Sequence, residues 1–67
     1  MVLGTKAAEA LEKIVDQTNV MAVLEMLVEV CELKAEHIRE NWQDEGLAKR
    51  WTHDAKIIAT AARRVQN

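Results

Sequence analysis

Five glutamates follow one another along the middle of the chain at helical spacing. Their separations of four, three, four and four residues put them on one face of an α-helix: Glu25, Glu29, Glu32, Glu36 and Glu40. Hard divalent cations prefer oxygen ligands, and a catalytic cation site needs several carboxylates that converge from facing helices. Beyond its first turn, the last predicted helix offers only Asp54 for this purpose. The acidic line therefore predicts a solvated helix face.

Two of these residues, Glu29 and Glu32, form an E-x-x-E pair that resembles half of the magnesium-binding motif of all-α nucleotide pyrophosphohydrolases. The resemblance implies a magnesium-dependent hydrolase acting through Glu29, Glu32 and Asp54, but the last helix has no E-x-x-D to complete it. Carboxylate-bridged di-iron bundles need Glu-x-x-His, and neither His37 nor His53 has a glutamate three residues before it. We predict no catalytic residue, no cofactor and no metal site.

The remaining reactive side chains also favour structural roles. His37 and His53 lie near the predicted turn and outside the apolar seam, which is the series of apolar residues at helical spacing from Met21 to Trp42. A cluster of these histidines with carboxylates would bind zinc or sense pH, although surface histidines are commoner. Cys31 lies between Val28 and Ala35 on the apolar seam, without the neighbouring base that a catalytic thiol needs. The chain contains no serine, so a serine nucleophile is excluded.

A basic stripe on the last predicted helix suggests a second class of function. Lys49, Lys56 and Arg63 recur at intervals of seven, with His53 and Thr60 between them. Such a stripe on each subunit of a dimer would bind the phosphates of a nucleic-acid backbone. No aromatic residue interleaves with it, and the net charge of −2 is unfavourable. Nucleic-acid binding is therefore the alternative interpretation.

The only aromatic residues, Trp42 and Trp51, lie on either side of the predicted turn. Buried together, they would close the open end of a hairpin, which is the interpretation that we favour. Partly exposed, they would form an anchor for a protein partner, because tryptophan is enriched at binding hot spots.

These side chains must be positioned by helices, because the apolar residues recur at intervals of three and four. The longest series has no slip: Met21, Leu24, Val28, Cys31, Ala35, Ile38 and Trp42. We predict one all-α domain over residues 1–67, with helices at about 6–16, 20–42 and 45–65. The first helix is short and folds back over the far end of a long antiparallel hairpin that the other two form. Asn19 or Thr18, and Asp44, are the expected N-caps.

A second apolar stripe on the central helix requires additional cover. It consists of Val20, Val23, Leu27 and Val30, and a first helix of about eleven residues is too short to cover it. Chains of this size often gain stability by association. We therefore predict a homodimer in a helical bundle and a non-enzymatic role in protein interaction and regulation. Partner contacts are expected at this stripe, Trp42 and Trp51. One cysteine, no signal peptide and no long apolar run predict a cytoplasmic protein without membrane association.

Overall fold

Three helices follow one another in the computed structural model, which describes the backbone of residues 2–66 and the side chains of residues 5–66. They are α1 (Val2–Gln17), α2 (Val20–Asn41) and α3 (Glu45–Arg64), and the described residues contain no strand. The all-α prediction is confirmed. The start of α1 precedes the predicted position by four residues, because Gly4 weakens a helix by only about 1 kcal/mol relative to alanine and no proline ends it.

Polar side chains end one helix and start the next at both breaks, as predicted. The Asn19 side-chain oxygen accepts the Ala22 backbone N–H at 2.7 Å, and the Asp44 carboxylate accepts the Leu47 N–H at 3.0 Å. Each bond satisfies a backbone donor that has no partner within its own helix. Two residues, Thr18 and Asn19, are therefore enough to separate α1 from α2 without glycine or proline.

The core lies between α2 and α3, which pack closely as an antiparallel hairpin. The α3 side of this interface is built on three buried alanines that recur every seven residues, Ala48, Ala55 and Ala62. Cys31, Ala35 and Ile38 are buried on the facing side of α2. Small side chains at a heptad position allow two helices to approach closely. The apolar series that the sequence predicts from Met21 to Trp42 is therefore buried at Cys31, Ala35 and Ile38 and exposed at its two ends.

The first helix lies differently from the prediction. Its described residues contact α2 sparsely and make no contact with α3, and Leu11 and Ile14 on its apolar face remain exposed. Most of the second apolar stripe is uncovered in the single chain, as the short first helix predicted: Val20, Leu27 and Val30 are exposed, and only Val23 is buried. A short helix that is attached by a two-residue break contributes little to the core of this single chain.

The turn between α2 and α3 holds a non-glycine residue in the left-handed region. Gln43 has φ 53°, directly after the C-terminal cap of α2. Glycine is the usual residue at this position, because a side chain raises the energy of left-handed backbone by about 1–2 kcal/mol. Glycine also loses more backbone entropy on folding, by about 0.4–1 kcal/mol. We expect Gln43→Gly to raise the free energy of unfolding by about 0.5–1 kcal/mol in urea titrations.

The matched control for this substitution is Gln43→Ala. Alanine removes the same side chain but keeps the Cβ atom that disfavours positive φ. A gain in stability from alanine equal to that from glycine would show that the glutamine side chain, and not its backbone conformation, is unfavourable.

Candidate functional site

The acidic line stays on the surface of α2, and all five of its glutamates are exposed. Within residues 2–66, no three histidine, cysteine, aspartate or glutamate side chains converge in a way that suits a metal ion. His37 and His53 are both exposed. The Asn41 side-chain amide donates to the His37 carbonyl oxygen at 3.0 Å and lies 3.1 Å from His37 Nδ1. This contact belongs to the end of α2 and does not draw other potential metal ligands to the histidine.

Cys31 is buried at the interface of the hairpin, as its place on the seam predicted. A reactive thiol needs access to its substrate and a neighbouring base or cation. The neighbours of Cys31 on the seam are Val28 and Ala35, which supply neither. Its surroundings are those of a small apolar core residue.

The two tryptophans have different environments. Trp51 is half-buried and packs against a cluster made of Ala35, Ile38 and Ala48. Trp42 caps the C-terminus of α2 and is 73% exposed. The favoured interpretation, in which both rings close the end of the hairpin together, is therefore wrong for Trp42. The ring of Trp42 is instead available at the tip of the hairpin.

The residues of the basic stripe, Lys49, Lys56 and Arg63, are all exposed on α3. At least one residue of the acidic line lies beside this stripe. Both series reach one shallow groove between the helices, to which α2 contributes Glu25 and α3 contributes Arg63. Carboxylates beside the basic residues lower the positive potential that attracts a phosphate backbone.

A long apolar surface on α2 is the most distinctive feature of the molecule. It includes three residues of the predicted second stripe, Val20, Leu27 and Val30, and also Met26 and Leu33, which were not predicted to belong to it. Leu33 is 64% exposed and Val30 is 47% exposed. The signal was present in the sequence, since Met26, Val30, Leu33 and His37 continue from Val23 at spacings of three, four, three and four. We call Met26, Val30, Leu33 and His37 the outer stripe.

The outer stripe lies on the side of α2 turned away from α3. At about 100° per residue, its centre is roughly 160° around the helix from the centre of the buried seam. Its C-terminal half forms an open groove of about 590 Å³, whose lining includes Val30, Leu33 and His37, with Lys34 on one side and Glu36 and Glu40 on the other. The shape is that of an apolar helix face bordered by charges.

The chain as a whole exposes more surface than a compact monomer of its size. Its accessible area is 5618 Å², whereas a folded monomer of 7.6 kDa is expected to expose about 4,300 Å². Its radius of gyration is 13.8 Å, against about 11 Å for a compact chain of this length. About 1,300 Å² of surface per chain is thus in excess of the usual value. Among the side chains of residues 5–66, eleven large apolar ones contribute to the exposed area.

No protein-family model, curated protein or solved structure matches this chain. No helix in the described part of the chain is both long enough and apolar enough to cross a membrane.

Proposed function

We propose that this chain is a non-enzymatic interaction protein that acts as a homodimer and regulates or scaffolds another protein. The observation that carries the proposal is the excess accessible surface. Two chains would together remove about 2,600 Å² if that excess were buried between them, which falls in the range of obligate homodimers. The exposed apolar residues on the face of α2 that does not pack against α3 supply the driving force for such burial.

The tip of the hairpin is the proposed contact site for the partner protein. Trp42 is exposed there, and the neighbouring Arg39 and Glu45 side chains form an ion pair with Nε to Oε1 at 3.0 Å. Interface hot spots are enriched in tryptophan, and charged groups around an apolar anchor select the orientation of a partner. In the proposed dimer, the tip of each hairpin stays accessible to a partner.

The mass in solution tests the homodimer. Multi-angle light scattering of the intact chain from micromolar to millimolar concentration should give twice the 7.6 kDa of one chain. We expect the mass to stay at that value over most of the range, because an apolar interface of obligate size binds tightly. A mass of one chain at the highest concentration would refute the homodimer.

Nucleic-acid binding through Lys49, Lys56 and Arg63 remains the alternative, with less support. The three residues are exposed, but Glu25 shares a groove with Arg63. That function requires a salt-dependent shift of RNA or DNA in a native gel, abolished by charge reversal at the three positions. No shift at low salt would eliminate it.

A further inference from the structure

We propose that the occupant of the outer stripe is α1 of a second copy, packed antiparallel to α2, so that two chains exchange their first helices. This proposal rests on the homodimer proposed above and specifies its interface. The surface on α1 is its apolar face, Ala7, Leu11 and Ile14, which we call the α1 stripe. All three residues are exposed, and Leu11 is 49% exposed.

The two surfaces are of the same kind, and the shorter one fits on the longer one. Each chain carries one exposed α1 stripe and one exposed outer stripe, and a two-fold dimer would bring them together twice. The α1 stripe spans about 11 Å from Ala7 to Ile14, so it fits within the roughly 17 Å from Met26 to His37. Two such contacts use apolar faces that the single chain leaves uncovered.

Charges beside the stripes determine the direction of packing. On α2, one flank of the outer stripe carries Glu29, Glu36 and Glu40, and the other flank carries Lys34. On α1, one flank of the stripe carries Lys6 and Lys13, and the other carries Glu12. The order of the flanks follows from the right-handed rotation of about 100° per residue.

Only one direction brings opposite charges together. In antiparallel packing the lysine flank of α1 lies against the glutamate flank of α2, and Glu12 lies on the side of Lys34. In parallel packing each flank meets charges of its own sign, which opposes association. Direct antiparallel pairing of two outer stripes is disfavoured as well, because it would place two lines of glutamates side by side.

Three substitutions that each introduce a glutamate test the α1 stripe and the outer stripe in the intact chain. Leu11→Glu and Leu33→Glu each place a carboxylate in one of the proposed contact faces, and Ile57→Glu places it on α3 at a residue that is 55% exposed. Since all three positions are exposed in the single chain, the helix content by circular dichroism should be unchanged. We expect Leu11→Glu and Leu33→Glu each to raise the dimer Kd at least about 30-fold in sedimentation equilibrium, and Ile57→Glu less than about threefold.

A charge reversal tests the direction. Lys13→Glu should raise the dimer Kd about twofold to fivefold, and adding Glu29→Lys should restore it. In parallel packing, Lys13→Glu would instead lower the dimer Kd, because Lys13 would then lie on the side of Lys34. Lys56→Glu on α3 is the control for the change in net charge and should leave the Kd within about twofold.

The outcomes separate this inference from the proposed function. A wild-type chain that is monomeric at all concentrations refutes both. A wild-type dimer that Leu33→Glu weakens and Leu11→Glu does not would keep the homodimer but overturn the helix exchange. A dimer that Lys13→Glu strengthens would overturn the antiparallel direction.

Discussion

Trp51→Ala should lower the free energy of unfolding by about 2–4 kcal/mol, which is a large part of what a chain of this size can have. The indole packs against the cluster of Ala35, Ile38 and Ala48, where the two helices of the hairpin are in close contact. Truncation removes this apolar contact and leaves a cavity that small neighbouring side chains cannot fill. Urea unfolding followed by circular dichroism, at one fixed chain concentration, gives the difference.

Trp42→Ala is the matched control, because it removes the same side chain from the exposed tip of the hairpin. The ring is 73% exposed, so its loss should change the free energy of unfolding by less than about 0.5 kcal/mol. Equal losses from both substitutions would mean that the two rings support the fold together. Such a result would also remove the basis for a partner contact at Trp42.

A second large effect is expected at Ile38. Its side chain is buried in the same cluster and lies on α2 opposite Ala48, whose side chain is fully enclosed. Ile38→Ala should lower the free energy of unfolding by about 2–4 kcal/mol, since the side chains of Ala35 and Ala48 in the same cluster are too short to fill the space. Thermal and urea unfolding at the same chain concentration both measure this loss.

Ile57→Ala provides the corresponding control on α3. Ile57 is exposed on the side of α3 away from α2, and alanine has the higher helix propensity. We expect a change within about 0.5 kcal/mol of zero. A loss comparable with that of Ile38→Ala would show that Ile57 is buried in the state that unfolds, and would place it inside the dimer interface.

The interface between two copies decides how these stabilities are interpreted. If the chain unfolds as a dimer, its midpoint rises with concentration, and substitutions on the outer stripe and the α1 stripe become visible in unfolding experiments. Substitutions in the hairpin core should then lower the midpoint by a similar amount at every concentration. This difference separates residues that hold the hairpin together from those that hold two copies together.

The helices, their breaks and the buried seam could be predicted from the sequence, because each depends on local chemistry. Spacings of three and four assigned Cys31 and Ala35 to one face, and the capping preferences of Asn19 and Asp44 located the starts of α2 and α3. The outer stripe could also be predicted at Met26 and Leu33, since its residues recur at the same spacings of three and four on another side of the helix.

Tertiary structure alone decided which tryptophan is buried and what α1 covers. Both Trp42 and Trp51 continue apolar series, but Trp42 caps the end of α2 at the turn, whereas Trp51 lies within α3. Likewise, the apolar pattern of Leu11 and Ile14 predicts that this face will be covered without saying by which surface. Periodicity identifies the face of a helix that avoids water, whereas its cover depends on where the other helices end and how they pack.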